Sequence, residues 1–396
     1  MRTVDAAGLS IGPDHPPRIM GVLNVSEESP YDPSVFADPG EAAAFVDEEL
    51  IDEGADVVDV GLESANKRLD VLGPEEELDR LDVAIETIES VSGDAVFSIE
   101  TRYHEVADEA LSRGFDVVND VCGFADPEMP DVCADHDAAV VKMASPPDLD
   151  RPGAVDDVDW ASRRSAAWAE RATYVDQVYA ALEDGGFTEK TIVDPAFGGW
   201  SEDKTLEDDR ETFRRLGEFR ALDRPILVSI NRKNFLRKYV DRSTDAALPV
   251  SLGATAMAVE RGADVIRTHD VAATRDAARI GRAFERDRMR IEGPVAVREL
   301  GAGTRREVDR HLDRIGASVE YAGDGASHAI EIDGLDPVAI ERLATVAGDV
   351  GVTVADGTDA VLVLGCETGL DRFVDGLPDD SDAFRTIATA VSRVIE

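Results

Sequence analysis

Two short clusters carry the densest chemistry in the chain. Asn231, Arg232 and Lys233 follow the apolar run PILVSI (residues 225 to 230), and Arg267, Thr268, His269 and Asp270 close the run ADVIR (263 to 267). Short β-branched runs bounded by turn residues are the signature of buried strands. Cations and hydrogen-bond donors released at the carboxyl ends of late strands in a strand–helix repeat sit where barrel enzymes grip a phosphate. The chain reads as an enzyme acting on a phosphorylated small molecule.

The elements that must position these clusters recur along the sequence. Eight runs alternate with helical spacing: RIMGVLNV (18 to 25), ADVVDVGL (55 to 62), AVFSIET (95 to 101), DVVND (116 to 120), AAVVKMA (138 to 144), TIVDPA (191 to 196), PILVSI and ADVIR. Continuous apolar strands imply burial on both faces, and alternation with helices implies parallel pairing. The expected fold is α/β, a (β/α)8 TIM barrel, with a doubly wound open sheet as the alternative. Helices such as 41 to 54 and 104 to 114 end in glycines suited to a left-handed C-terminal position. The connection from 145 to 190 is longer than the rest and carries Trp160, Trp168 and one helical run over 166 to 186, which reads as decoration that adds no strand.

The repeat runs to a helix ending near Arg290 and breaks at IEGP (291 to 294). A barrel over 1–290 and a smaller α+β domain over 291–396 are expected, the latter with strands at 328 to 333 and 359 to 365 and a helix at 337 to 351. That region shows no phosphate loop, nucleophile elbow or ligand cluster, which favours a structural or oligomerising role over a second active site.

Asp and Glu number 83 against 41 Lys and Arg, a formal charge of −42. Spread over helix faces, this charge reads as a surface suited to concentrated salt, where screening lengths shrink to a few ångströms, and points to a halophile's cytoplasm. A surface built to capture a basic partner is the rival reading, and nucleic-acid binding is disfavoured. Three cysteines without a CxxC pair and six histidines without HExxH spacing indicate neither disulfides nor structural zinc. The sequence has neither a signal-peptide core nor an apolar run of membrane-spanning length, so a cytoplasmic chain is expected.

The polar residues at the strand ends are Asn24, Asp59 with Glu63, Glu100, Asn119, Lys142, Asp194, Asn231 with Lys233, and Arg267 with His269. One such residue is ordinarily a surface or capping group. Eight ends gathered at one rim favour a site.

These segments, with IMGVLNVS, GADVVDVGLES (54 to 64), SIET (98 to 101), VVNDVCG (117 to 123), IVDPAFG (192 to 198), NRKNF (231 to 235) and RTHDV (267 to 271) in order, resemble the dihydropteroate synthases over roughly residues 17 to 287. The resemblance implies condensation of 6-hydroxymethyl-7,8-dihydropterin diphosphate with p-aminobenzoate. Asp194, Asn119 and Glu100 would accept the N–H groups of the pterin's guanidine-like edge. Lys233 would face a ring nitrogen or carbonyl, while Arg267 and His269 would meet the departing diphosphate. Asn24 would ligate diphosphate-bound Mg²⁺, brought in with substrate, and Asp32 matches an aspartate of the family's first loop. The expected partners are these small molecules, and self-association as a homodimer is compatible with the reading. Cys122, beside the pterin motif, reads as a small buried thiol.

The likeness is uneven. The family's second loop reads Gly-Glu-Ser-Thr-Arg-Pro-Gly, where this chain has Leu62, Glu63, Ser64, Ala65, Asn66, Lys67 and Arg68. Asn234 replaces the serine after the pocket lysine, Glu100 replaces an aspartate, Lys142 and Met143 replace His-Met, and Pro30 replaces a phenylalanine. The pterin and diphosphate positions are mostly kept and those around p-aminobenzoate are changed. Arg68 and Tyr31 standing in from shifted positions is the first expectation, and a methanopterin-type arylamine the second. A pterin-binding methyltransferase and a non-catalytic paralogue are the remaining alternatives, the former disfavoured by the retained Arg267 and His269.

Overall fold

One folding instruction is written three times: Gly-Ala-Asp-Val at 54–57, Gly-Phe-Asp-Val at 114–117 and Gly-Ala-Asp-Val at 262–265. In the computed structural model each glycine ends a helix at positive φ (Gly54 +103°, Gly114 +110°, Gly262 +106°), a region that costs a residue with a Cβ. The aspartate then accepts from an amide at the amino end of the neighbouring strand. Asp56 Oδ2 takes Ile19 N at 2.9 Å, Asp116 Oδ2 takes Phe97 N at 3.0 Å and Asp264 Oδ2 takes Ile226 N at 2.9 Å. The valine begins the next strand. Helix stop, latch and strand start thus fit into four residues, which fixes parallel register as well as strand position.

The structure describes residues 2–25, 34–63, 71–198, 203–284, 290–291, 297–357 and 360–395. The chain forms two compact units, Met1–Arg286 and Asp287–Glu396. In the first, a hairpin of β1 (Val4–Ala6) and β2 (Leu9–Ile11) precedes eight parallel strands: β3 (Arg18–Asn24), β4 (Val57–Gly61), β5 (Val96–Thr101), β6 (Val117–Asp120), β7 (Ala139–Met143), β8 (Thr191–Asp194), β9 (Leu227–Val228) and β10 (Val265–Thr268). Their order, β8-β7-β6-β5-β4-β3-β10-β9, closes through the parallel bridge between Val193 and Ile226, so the sheet is a barrel and not an open doubly wound sheet. All eight coincide with the runs read from sequence.

The N-terminal hairpin was not legible in advance. Its Val4, Ala6 and Ile11 pack with Met20, Val57, Val96, Val117, Ala139, Val141, Ile192, Leu227 and Val265, an apolar floor inside the barrel's amino-terminal end. Two residues further along several strands the inward positions turn polar, at Asp59, Ser98, Asn119, Asp194 and Arg267. The two-residue period of a strand therefore stacks a polar layer directly on an apolar one.

Two expectations on the helix layer need correction. The run 166 to 186 is not one helix: Ala166–Arg171 and Tyr174–Glu183 are separate, because Thr173 leaves helical geometry to form a reciprocal capping box with Asp176. The last barrel helix, Val271–Ala283, ends short of Arg290. The connection after β7 adds no strand among the described residues.

In the second unit a three-stranded antiparallel sheet, Ser327–Asp333, Ala360–Cys366 and Thr353–Asp356 in that order, packs against helices Pro337–Val350, Glu367–Gly376 and Asp382–Ile395. Leu343, Val363, Leu370, Phe373, Phe384, Ile387 and Val391 form its core.

Candidate active site

The polar layer is organised around Asp59, which is completely buried. Its Oδ1 accepts from Ser98 Oγ at 2.7 Å, and its Oδ2 accepts from Asn119 Nδ2 at 3.0 Å and Arg267 Nε at 2.7 Å. Arg267 Nη2 then donates to Glu100 Oε2 at 2.6 Å. Four strands are cross-linked by one network, and a buried carboxylate saturated in this way is tolerable only while its cationic partner stays. Two of the three guanidinium nitrogens are engaged; Nη1 and the second hydrogen of Nη2 are the capacity Arg267 retains for an anion.

Around this network lie the other ionisable groups. Burial pushes the Asp194 carboxyl up to about 6 despite the Ala196 amide, which donates to Oδ1 at 2.8 Å, and the cations Lys233, Arg267 and Lys204. Burial also raises Glu100, against the pull of Arg267, and lowers the Lys233 ammonium, with Arg267 adding repulsion and Asp194 opposing it. His269 is held neutral down to about 3 by burial and by the neighbouring guanidinium of Arg267. Each of these groups feels at least two of the others, so Glu100, Asp194, Lys233, Arg267 and His269 share one electrostatic neighbourhood, with Asn119 joined to it through Asp59.

Local backbone sets Lys233. Arg232 sits at φ +54°, uncommon for a residue with a side chain, and is held there from several sides. Its amide donates to Ser251 Oγ at 2.8 Å, and its guanidinium grips Asp270 through Nε at 2.9 Å and Nη2 at 2.8 Å. Arg232 is therefore committed to Asp270, which corrects its reading as part of a cationic phosphate cluster. Phe235, buried and stacked on Phe197 with centroids 5.6 Å apart, anchors the following turn. Gly198, at φ +86°, has no Cβ where Lys233 Nζ passes; one would lie 3.1 Å from that nitrogen.

The loop after β8 is clamped by a residue the sequence reading missed. Lys204, whose side chain is 2% exposed, donates to the carbonyls of Ala196 at 2.7 Å and Gly198 at 2.9 Å and pairs with Asp209 at 2.8 Å. Asp209 in turn accepts from Gly198 N. A lysine in an acidic loop gives no sequence signal, because its partners are backbone carbonyls. Arg102 was also missed; it is buried at the end of β5, ion-paired with Glu63 and donating to Leu149 O at 3.1 Å.

Lys142 does not belong at the rim. Inward positions of β7 are Ala139 and Val141, so Lys142 points outward, donating to the carbonyls of Asp184 and Gly186 at the end of a helix and lying 4.6 Å from the Phe124 ring centroid. Cys122 is buried and its thiol is pushed far up by desolvation, consistent with an inert packing residue. Asn24, 9% exposed, donates through Nδ2 to Ser34 Oγ at 3.1 Å, and its Oδ1 lies 3.0 Å from where a Cβ on Gly61 would be, so a glycine leaves that oxygen room. Asp32, Tyr31 and Arg68 fall outside the described residues, as does Ala65 to Arg68 of the altered second loop.

A parallel barrel with an apolar floor, a polar layer rich in carboxylates and amides, and cations at its carboxyl-end rim has the layout of a barrel enzyme whose site lies at that end. Residues 20–269 match the family described as pterin binding enzyme, and the chain belongs to that family. A probable bifunctional folylpolyglutamate synthase/dihydropteroate synthase of Halobacterium salinarum is 36% identical over 67% of this chain and 31% of its own length. The dihydropteroate synthase of Bacillus subtilis is 28% identical over 64% of this chain and 83% of its own. The chain thus spans about a third of the halophilic bifunctional relative. Among solved structures, a Thermus thermophilus dihydropteroate synthase in complex with 4-aminobenzoate superposes with a TM-score of 0.54 at 30% identity, covering 72% of this chain and all of that one. A Coxiella burnetii dihydropteroate synthase in complex with pteroic acid gives 0.56 at 27% identity over 70% of this chain and 97% of that one. No helix among the described residues is long and apolar enough to cross a membrane.

Proposed function

We propose that the barrel condenses 6-hydroxymethyl-7,8-dihydropterin diphosphate with p-aminobenzoate, forming 7,8-dihydropteroate and diphosphate. The observation that carries this reading is the Asp59–Asn119–Arg267–Glu100 network in one electrostatic neighbourhood with Asp194, Lys233 and His269. Asp194 and Asn119 accept and donate along the pterin's amino-pyrimidine edge, and Lys233 donates to a ring acceptor. As the C–O bond at the pterin methylene breaks, charge grows on the leaving diphosphate, where Arg267 and His269 supply donors that need no reorganisation. The arylamine nitrogen then attacks the methylene carbon and loses a proton.

The donor set also fits a divalent cation arriving with the diphosphate. Asn24 would offer one neutral oxygen, Oδ1, at a position kept open by Gly61, and Mg²⁺ characteristically takes few protein ligands beside phosphate oxygens and water. When bound it would neutralise phosphate charge. A structural or self-associating role is proposed for the unit beyond Arg286, and catalysis is assigned to the barrel alone.

Purified protein in concentrated salt, with Mg²⁺, 6-hydroxymethyl-7,8-dihydropterin diphosphate and p-aminobenzoate, should release diphosphate and form 7,8-dihydropteroate in equal amounts. A ribosylated arylamine in a parallel reaction distinguishes the methanopterin-type acceptor. Absence of turnover with every arylamine sinks the synthase reading.

pH offers a second test. Asp194 must be ionised to accept pterin N–H groups, and its carboxyl titrates at about 6 in the free protein. Pterin affinity, measured calorimetrically, should therefore weaken as pH falls through that value, and Asp194→Asn should remove the dependence while weakening binding at neutral pH. A flat profile in the unsubstituted protein would assign Asp194 no contact with the pterin.

A further inference from the structure

The turn after β8 is held by a single buried ammonium. Lys204 precedes helix Leu206–Arg214, whose start is fixed by the reciprocal capping box of Thr205 and Asp208. The three N–H bonds of Lys204 meet three acceptors: Ala196 O at 2.7 Å, Gly198 O at 2.9 Å and Asp209 Oδ1 at 2.8 Å. Asp209 returns to the same turn, accepting from Gly198 N at 3.1 Å. Nζ also lies over the Tyr174 ring, 5.3 Å from its centroid. Within the turn Ala196 stands at φ +61°, a left-handed conformation that costs a residue with a Cβ and persists only where the surroundings hold it.

We propose that Lys204 is a positioning residue for Asp194 and Lys233: by drawing the Ala196 and Gly198 carbonyls onto one ammonium, it aims the Ala196 amide at Asp194 and keeps a glycine-sized gap beside Lys233. That these two residues meet a pterin rests on the synthase reading, whereas their placement rests on the turn. Ala196 N donates to Asp194 Oδ1 at 2.8 Å, and a Cβ on Gly198 would lie 3.1 Å from Lys233 Nζ and 3.3 Å from its Cδ. Two carbonyls converging on one point repel each other unless a cation sits between them, so the turn keeps this form only while the ammonium stays. A compact ammonium with three donors suits the cradle, and the planar fork of an arginine would not. Asp194 is faced by Lys233 from the turn after β9, Arg267 from β10, Glu100 from β5 and Lys204 from its own loop. Burial pushes its carboxyl up, and the Ala196 amide is the foremost group opposing that rise, ahead of the three cations. A slackened turn therefore acts on Asp194 first through that amide.

The titration of Asp194 reads this role without any substrate. In free protein carrying aspartate labelled with ¹³C at Cγ, Asp194→Asn identifies the signal, which should titrate at about 6. Lys204→Met should move that midpoint upward by about one unit, the scale of losing a hydrogen bond to a charged group. Because this variant leaves Asp209 buried without its cation, Lys204→Met combined with Asp209→Asn is measured beside it. Opposite charges then leave together, so a raised midpoint in the double variant reports the lost aim of the Ala196 amide and not a change in local charge. Where the unsubstituted protein binds pterin, the affinity of the double variant at pH 7 should fall about tenfold. A midpoint that stays at about 6 in the folded double variant, or an unchanged pterin affinity, overturns the proposal. Loss of the fold in both variants does so too, since it assigns Lys204 to folding alone. A raised midpoint in a protein that binds no pterin supports the positioning role and defeats the synthase reading alone.

Discussion

Arg267→Ala is expected to lose about 3–5 kcal/mol of stability at neutral pH, the scale of removing one partner from a buried ion pair. The cost follows from what remains. Asp59, fully buried, would keep Ser98 and Asn119 as donors but no opposite charge, and Glu100 would lose its ion-pair partner. The pH dependence has a definite sign. Burial already sets the Glu100 carboxyl above its ordinary range and Arg267 opposes that rise, so deleting Arg267 lifts it further. A carboxyl whose folded pKa lies above the unfolded one destabilises the fold wherever it is ionised in the unfolded chain, and the penalty fades as pH falls into the carboxylate range. Denaturant unfolding should show a larger deficit for the variant at neutral pH than under mildly acidic conditions. kcat/KM should fall about 10²- to 10³-fold, because the same guanidinium faces the leaving group in the proposed reaction. Arg267→Lys should rescue little: an ammonium cannot reproduce the fork that reaches Asp59 and Glu100 together. Equal stability of Arg267→Ala and the unsubstituted protein at neutral pH would mean that Arg267 does not hold this network together.

The barrel was legible because its instructions are local. Eight buried strands declare themselves as β-branched runs, and Gly-x-Asp-Val marks three of the helix-to-strand turns with residues whose reasons are stereochemical. The N-terminal hairpin was not legible, since three-residue strands carry too little pattern and their purpose, closing the barrel floor, is visible only once the floor exists. The break at Thr173 was written in the sequence as Thr-x-x-Asp, a capping box, but the apolar periodicity on either side concealed it.

At the site, residue type found the polar layer and strand parity would have refined it. Lys142 is one residue out of phase with Val141, and counting in twos from the floor sends it to the helix layer. Arg232 and Lys233 are adjacent and alike in charge, yet the left-handed backbone at Arg232 sends one to Asp270 and leaves the other over Gly198. No composition argument separates them. Lys204 escaped for a different reason: it acts through backbone carbonyls, so neither spacing nor residue type announces a role.

Lys233→Ala is expected to lower kcat/KM about 10²-fold or more while leaving the fold as stable as before, or more so. The rate estimate is the scale of deleting one preorganised electrostatic donor. The stability estimate follows from the environment. Desolvation and the repulsion of Arg267 depress the Lys233 ammonium, and Asp194 only partly compensates. A lysine whose folded pKa lies below its unfolded one subtracts stability at every pH where the unfolded chain carries the proton, which includes neutrality, so removing the amine relieves that cost. Lys233→Met separates charge from packing, since it keeps an unbranched apolar stem over Gly198 and should match the alanine variant in rate. Thermal unfolding and steady-state kinetics on the same samples decide the matter. A variant that retains the unsubstituted rate assigns Lys233 a structural role, and one that loses several kcal/mol shows that its charge is paired for folding, not held in reserve for a ligand.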